Sequence, residues 1–167
     1  MNLVIIGNII AFLGCGLMVL VGFIKEKRRI LSVQCIQFTL QGASNLILGG
    51  YSGFIANVVS ILRNLACARF KNTVWLKLFF IVLQVVLSYK SLTSGFISWF
   101  PLLAAVLFTW FLDVKSEVRL KLVIISTQVL WMIYDFVHLN YVAVAFDIFT
   151  MVSNSIGIYM LRRNSRK

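Results

Sequence analysis

The chain has 167 residues, of which 60 % are hydrophobic and 13 % are charged, and its mean hydropathy is +0.94. The charged share is about half that of an ordinary soluble domain. A water-soluble domain also needs a polar surface, which this composition cannot supply. These values exclude a disordered chain, a collagen and an ordinary soluble globule, and they predict an integral membrane protein in contact with a lipid bilayer.

The charge is strongly basic, with 16 Lys and Arg residues against 5 Asp and Glu residues and a formal net charge of +11. A basic soluble protein would suggest a nucleic-acid partner. Basic residues also flank membrane spans on the cytoplasmic side, and this second explanation fits the composition. No nucleic-acid partner is therefore predicted.

Seven apolar stretches follow one another along the chain. Each is long enough to cross a bilayer as a helix, and none shows the two-residue alternation of a membrane barrel strand. The first stretch lacks a basic start and a cleavage site, so it is expected to be a retained span. The predicted spans are residues 1–24, 30–50, 52–69, 74–90, 91–112, 120–137 and 140–161.

Short breaks separate several of these stretches. Gly50–Gly53 predicts a turn between the second and third spans, and His138–Asn140 predicts a tight turn between the sixth and seventh. Pro101 is the one proline of the chain, and it is expected to kink the fifth span. The sequence thus predicts an all-α polytopic protein with seven transmembrane helices.

The distribution of basic residues predicts the orientation of these spans. The segments after the first, third, fifth and seventh spans hold 14 of the 16 Lys and Arg residues, whereas Lys90 lies on the other side and Arg63 lies inside a span. Positive charge concentrates on the cytoplasmic side of bacterial membranes. The prediction is an outside N-terminus and a cytoplasmic C-terminus in the inner membrane.

A shift of 90 residues aligns the first three spans with the last three. The shift superimposes Asn57 on Asp147 and Asn64 on Asn154, and polar matches within apolar helices are informative because such residues are costly there. The alignment predicts two parallel three-helix repeats, residues 1–72 and 92–167, joined by a linker span at 73–91. The alternative is a chance similarity between two hydrophobic stretches.

Polar residues at helical spacing share one face on each of four spans, and these faces should turn inward, because lipid cannot satisfy their hydrogen bonds. Such faces meeting near mid-membrane could line a solute pathway. The alternative is that they only hold helices together. The four sets are Gln34, Gln37, Gln41 and Asn45; Asn57, Ser60 and Asn64; Gln128, Trp131, Asp135 and His138; and Asp147, Thr150 and Asn154.

Ionisable residues within the spans suggest a second role. At 1.5 Å per residue, Arg63 and Asp147 differ in depth by roughly 6 Å, so the two side chains are expected to reach each other as an ion pair. Asp135, His138 and Asp147 form a candidate set for proton coupling. The alternative for His138 is an ordinary solvated histidine at a turn.

Several short motifs resemble those of the YgjV family of bacterial inner-membrane proteins. They are Leu48-Gly49-Gly50-Tyr51, Ile55-Ala56-Asn57, Ser126-Thr127 followed by 131–136, and Asp147 followed by Asn154. The 3-1-3 layout is also similar to that of SWEET sugar transporters and PnuC vitamin transporters, although the PQ dipeptide of SWEET proteins is missing. The resemblance implies a central solute site containing Asn and Trp, and homo-oligomers, because trimers are known in similar folds.

These observations lead to one main functional prediction and one alternative. The main prediction is a transporter or facilitator for a small polar solute, with alternating access between the two repeats. The alternative is a non-transporting membrane protein that acts as a partner or assembly subunit. The predicted solute-binding set is Asn57, Asn64, Asp147, Asn154, Gln41 and Asn45, with Trp131 as an apolar wall.

Catalytic and metal-binding motifs are absent from the sequence. There is no P-loop, HExxH, GxSxG or dinucleotide fingerprint, and the single histidine forms no recognisable metal site. The three cysteines are well separated, lie in apolar stretches and are expected to be small core residues. Neither an enzyme nor a cofactor is predicted.

Overall fold

A computed structural model of the chain describes residues 2–21, 27–70, 73–92, 95–111 and 116–164. The predicted basic segments at Lys25, Lys71 and Lys115 and the end of the tail at 165–167 lie outside the described residues. Seven α-helices and no strands occur in the described part, so the all-α prediction is confirmed there. The helices are α1 Leu3–Val21, α2 Lys27–Ile47, α3 Tyr51–Arg69, α4 Val74–Leu92, α5 Trp99–Phe111, α6 Glu117–Val137 and α7 Tyr141–Asn164.

The fifth helix differs most from its predicted span. The sequence predicts a helix from residue 91, but Gly95 has a φ of 121° and a short 3-10 helix, Phe96–Ser98, precedes α5. Pro101 is therefore the third residue of α5, where its missing N–H needs no helical partner. The prediction of a kink at Pro101 is wrong, because the proline lies in the first turn.

The turn between α6 and α7 lies where the sequence predicts it. The N–H of Asn140 donates to the carbonyl oxygen of Asp135 at 2.9 Å, and Leu139 takes a φ of 59° between them. This left-handed conformation is unusual for a leucine. The turn brings the first residue of α7, Tyr141, close to the end of α6.

The turn between α2 and α3 has the same hydrogen-bond pattern as the turn between α6 and α7. It lies earlier in the chain than predicted. The N–H of Gly50 donates to the carbonyl oxygen of Asn45 at 2.7 Å, and Gly49 has a φ of 80°. Because α3 already begins at Tyr51, the predicted turn at Gly50–Gly53 is wrong in position. Gly53 lies within the first turn of the helix.

Helix bounds in the two halves of the chain differ by the shift that aligns the sequence. Adding 90 to the bounds of α2 gives the bounds of α6 at both ends, and adding 90 to the start of α3 gives the start of α7. The two left-handed turn residues, Gly49 and Leu139, are also 90 positions apart. Equivalent positions from α2 to the start of α3 and from α6 to the start of α7 therefore have equivalent local structure, whereas α1 and α5 begin at positions that are not equivalent.

The packing of the helices gives a closed arrangement. Along the ring, α1 packs on α2, α2 on α3, α3 on α5, α5 on α6, α6 on α7, and α7 on α1. The fourth helix packs on α3 and α5. Six helices therefore surround a central space, and the contacts between α3 and α5 and between α1 and α7 close it.

Side chains are distributed in the reverse of a soluble domain. Among the described residues, 17 polar or charged side chains are buried against 9 hydrophobic ones. Large hydrophobic side chains cover the outside of the molecule, including Phe12 on α1, Val86 on α4 and Phe149 on α7. An apolar exterior around a polar interior fits a molecule surrounded by lipid.

One described helix, Tyr141–Arg163 within α7, is long and apolar enough to cross a membrane by length and composition. Shorter apolar helices occupy Leu3–Leu17, Val74–Tyr89 and Phe96–Phe111. Charged residues at the starts of α2 and α6, together with polar residues along α2, α3 and α6, lower the hydropathy of these helices. The crossing of the membrane by all seven helices stays a prediction.

Candidate functional site

A cavity of about 200 Å³ lies between the six helices of the ring. Every helix of the ring contributes side chains to it, and both halves of the chain take part. Its lining residues are Cys15, Gln34, Gln37, Phe38, Gln41, Asn57, Ser60, Arg63, Ala104, Ala105, Phe108, Ile124, Thr127, Gln128, Trp131, Asp135, Ala143, Phe146, Asp147 and Thr150. We call it the central cavity.

Most lining positions of the central cavity come in pairs that are 90 residues apart. This relation joins side chains of α1 to side chains of α5, of α2 to those of α6, and of α3 to those of α7. The pairs are Cys15 and Ala105, Gln34 and Ile124, Gln37 and Thr127, Phe38 and Gln128, Gln41 and Trp131, Asn57 and Asp147, and Ser60 and Thr150.

Arg63 supplies the positive charge of the central cavity and is only 4 % exposed. Its Nη1 donates to Oγ1 of Thr109 at 3.0 Å, and its Nη2 donates to Oδ1 of Asn64 at 3.4 Å. The guanidinium carbon lies 5.2 Å from the centre of the Phe108 ring, in cation–π range. The Nε atom is buried without a hydrogen-bond partner.

Asp147 supplies a carboxyl group from the other half of the chain and is 8 % exposed. Its Oδ1 accepts a hydrogen bond from Nε2 of Gln128 at 3.2 Å, whereas its Oδ2 is buried without a partner. The expected ion pair with Arg63 is not formed, because Arg63 is oriented toward Thr109 on α5 instead. The guanidinium of Arg63 and the carboxyl of Asp147 line one cavity without direct contact.

The asparagines predicted to bind a solute are placed differently from one another. Asn57 lines the cavity, and its Nδ2 donates to the carbonyl oxygen of Gly53 at 2.9 Å. Asn64 lies outside the lining, where its Nδ2 donates to Oε1 of Gln34 at 3.0 Å and its Oδ1 accepts from Arg63. Asn64 therefore positions two lining side chains, Gln34 and Arg63, through hydrogen bonds from outside the cavity.

Two further predicted residues also lie away from the central cavity. The side chain of Asn154 donates to the carbonyl oxygen of Thr150 in its own helix. Asn45 is fully buried at the end of α2, and neither of its amide atoms has a hydrogen-bond partner. Gln41 and Trp131, by contrast, line the central cavity as part of the predicted set.

The residues proposed for proton coupling are divided between two cavities. Asp135 lines the central cavity, and its Oδ1 accepts from Nδ2 of Asn140 at 3.1 Å. His138 lies on a second cavity of about 400 Å³, where its Nδ1 is 2.9 Å from the carbonyl oxygen of Tyr134. Asp147 shares the central cavity with Asp135 but not with His138.

An aromatic column on α6 separates these two cavities. The ring of Tyr134 is 5.9 Å from the ring of Trp131, which lines the central cavity, and 4.2 Å from the ring of His138, which lines the second. Tyr134 is fully buried, and its hydroxyl accepts a hydrogen bond from the N–H of Gly53 at 2.9 Å. Tyr134 thus fills the space between the two cavities.

Sequence reasoning missed some of the lining. Cys15 is buried in the core, as expected, but it also lines the central cavity, with its Sγ 3.9 Å from Oε1 of Gln41. A cysteine in an apolar helix carries no signal of such a position. Gln34, Gln37 and Gln128 did carry a signal, because they belong to the predicted polar faces.

Comparison of the chain with known proteins gives one family match. Neither the curated proteins nor the solved structures show a significant match to this chain. The model of the family Imp-YgjV, described as bacterial inner membrane protein, matches residues 5–165. The match covers nearly the whole chain and agrees with the apolar exterior and with the motifs seen in the sequence. The chain therefore belongs to the Imp-YgjV family of bacterial inner membrane proteins.

Proposed function

We propose that the protein is a multi-pass transporter or facilitator for a small polar solute in the cytoplasmic membrane, not an enzyme. The observation that carries this proposal is the central cavity, which lies between six helices with apolar outer surfaces and has amide, carboxyl and guanidinium groups in an otherwise mostly apolar lining. Polar side chains inside a membrane are costly and usually serve a substrate path. Asn57, Asp147 and Gln41 would contact the solute, with Trp131 as an apolar wall.

The paired lining supports alternating access. In this proposal α1–α3 and α5–α7 are parallel repeats joined by α4, as in the 3-1-3 layout that resembles SWEET and PnuC transporters. Each repeat contributes one member of each lining pair, so movement of one repeat against the other would change access to the cavity from both sides.

The orientation in the membrane follows from the charges. The N-terminus would lie outside and the C-terminus in the cytoplasm, which places the second cavity, near His138, on the outer side. A solute would then pass from the second cavity to the central one when Tyr134 moves.

The alternative is a partner or assembly subunit in which the polar side chains only join helices. Contacts such as Gln128 to Asp147 and Asn64 to Gln34 would serve that role. Pure helix joining does not explain why Arg63 and Asp147 keep unpartnered atoms beside a shared cavity. An unsatisfied buried polar atom costs about 1–3 kcal/mol.

A thermal-unfolding screen of the purified protein in nanodiscs against fractionated bacterial metabolites tests the proposal. A bound solute raises the unfolding free energy by RT ln(1 + [L]/Kd), about 2.7 kcal/mol at a hundredfold excess over Kd. We expect one fraction to stabilise the wild type and to be taken up by proteoliposomes. Asp147→Asn should lose that stabilisation, whereas Ser126→Ala, on the exposed face of α6, should keep it.

The partner-subunit alternative gives a different result. In that case no metabolite fraction would stabilise the wild type or enter proteoliposomes, and Asp147→Asn would only lower the basal stability.

A further inference from the structure

The central cavity is lined by one basic and two acidic side chains that do not contact one another. Arg63 contributes a guanidinium group from α3, and Asp147 and Asp135 contribute carboxyl groups from α7 and α6. Among the described residues, no ion pair joins any two of these three side chains. Their side-chain hydrogen bonds are made with the neutral side chains of Thr109, Asn64, Gln128 and Asn140.

Arg63 and Asp147 each also have one hydrogen-bonding position without a partner. The Nε–H of Arg63 has no acceptor, and Oδ2 of Asp147 has no donor, although each side chain is more than nine-tenths buried. Buried charges are normally paired or fully hydrogen-bonded, because desolvation is otherwise uncompensated. A group that fills both positions would have to donate at one end and accept at the other.

The two charges lie at different depths. Counted from the first residue of its helix, Arg63 lies six residues further along α3 than Asp147 lies along α7, which corresponds to about 9 Å. In the proposed parallel repeats, α3 and α7 are equivalent, so this difference separates the two charges along the path. The separation leaves room for a solute between them.

The volume of the cavity limits the size of that solute. At roughly 30 Å³ for each water molecule, a cavity of about 200 Å³ corresponds to about six or seven waters. A molecule with about that many non-hydrogen atoms would fit. The rings of Phe108 and Trp131 would cover its apolar part.

We propose that the central cavity binds a small zwitterion of the amino-acid type, with its carboxylate toward Arg63 and its ammonium toward Asp147. The inference rests on the proposed transport function and names the solute class of that same site. A neutral polyol would provide a charged partner for neither Arg63 nor Asp147. A singly charged solute would provide one for only one of these two side chains.

The wild-type protein is tested first with four molecules of nearly equal size. Alanine carries both charged groups, lactate only the carboxylate, 2-aminopropan-1-ol only the ammonium, and 1,2-propanediol neither. Binding is measured as thermal stabilisation in nanodiscs, and transport as counterflow of labelled alanine in proteoliposomes, with glycine, serine and β-alanine as competitors. We expect at least one of the four zwitterions to bind at least tenfold more tightly than the three analogues.

Two variants then test the assignment of each end. Asp147→Asn should lower zwitterion affinity at least tenfold and remove the preference of alanine over lactate. Arg63→Gln should instead remove the preference of alanine over 2-aminopropan-1-ol. Each variant should thus lose a different preference, which a general loss of stability cannot produce. Ser126→Ala should leave the wild-type selectivity unchanged.

Failure of this inference can be distinguished from failure of the proposed function. If a metabolite fraction is bound and transported but none of the zwitterions is, transport stands and the zwitterion assignment is wrong. If Asp147→Asn and Arg63→Gln are folded and keep wild-type selectivity, the assignment is also wrong. If no metabolite fraction binds or moves, both proposals fall.

Discussion

Tyr134 and two glycines form a close contact between α6 and the start of α3. The tyrosine side chain is fully buried, and its hydroxyl accepts from the N–H of Gly53. A Cβ atom added to Gly53 would lie 2.6 Å from Cε1 of Tyr134, and one added to Gly50 would lie 2.6 Å from its hydroxyl oxygen. The two glycines therefore make the space that the tyrosine occupies between the cavities.

We expect Gly53→Ala to lower the free energy of unfolding by about 1–3 kcal/mol, because the rigid tyrosine ring cannot yield without displacing its neighbours. Unfolding in mixed micelles, followed by circular dichroism, measures the loss. Gly16→Ala is the matched control, since a Cβ there meets nothing within 4 Å, and it should cost nothing. Wild-type stability of Gly53→Ala would show that the tyrosine is not held in this position.

The sequence could not predict this contact. It shows glycines near the end of α2, and glycines near a helix end predict a turn. The partner that requires their small size is 81 residues away from Gly53. The polar residues were easier to place, because Asn57, Asp147 and Asp135 line the central cavity as their helical spacing suggested.

At the scale of elements, the two equivalent turns solve one backbone problem with different residues. Both turns require a left-handed residue, which is Gly49 after α2 and Leu139 after α6. The left-handed conformation costs a residue with a Cβ atom roughly 1–2 kcal/mol, whereas glycine adopts it freely. The α6–α7 turn is therefore the more strained of the two.

Opposite substitutions at these positions should have opposite effects. Gly49→Ala should lower the unfolding free energy by about 1 kcal/mol for backbone reasons alone, since its Cβ would meet nothing within 4 Å. Leu139→Gly should leave stability unchanged or raise it by up to about 1 kcal/mol. Thermal unfolding of both variants under the same conditions shows whether each substitution raises or lowers stability. A destabilised Leu139→Gly would contradict the backbone strain inferred at this position.

Where a charge or a turn interrupts an apolar stretch, the helix bounds lie within three residues of the predicted ones. The start of α5 does not, because residues 91–112 carry no charge to mark a boundary. Gly95 has a φ of 121° and precedes a short 3-10 helix, so α5 begins only at Trp99. A single glycine within an apolar stretch gives no sign of such a conformation.

At the scale of the whole molecule, composition and polar spacing predicted an apolar exterior and a polar interior. The central cavity itself could not be predicted, because its size depends on how closely α3 approaches α5 and how closely α1 approaches α7. Asn8 contributes to the second approach. Its Nδ2 donates to the carbonyl oxygen of Leu139 at 2.9 Å, and its Oδ1 accepts from the N–H of Val142 at 3.0 Å.

The orientation of the whole chain is testable with reporter fusions. Alkaline phosphatase is active only outside the cytoplasm, where its disulfides form, whereas green fluorescent protein reports a cytoplasmic position. We expect phosphatase activity from fusions after Gly95 and after Leu139, and fluorescence from a fusion after Lys167. The physical reason is that 14 of the 16 basic residues would then lie in the cytoplasm.

Two different results would contradict this orientation, and each has its own meaning. Phosphatase activity after Lys167, with none after Leu139, would reverse the orientation and move the second cavity to the cytoplasmic side. Cytoplasmic signals from both Leu139 and Lys167 would mean that α7 does not cross the membrane. An even number of crossings would follow, and two parallel three-helix repeats with one linker helix require an odd number. That outcome would therefore remove the alternating-access geometry, even if a solute binds in the central cavity.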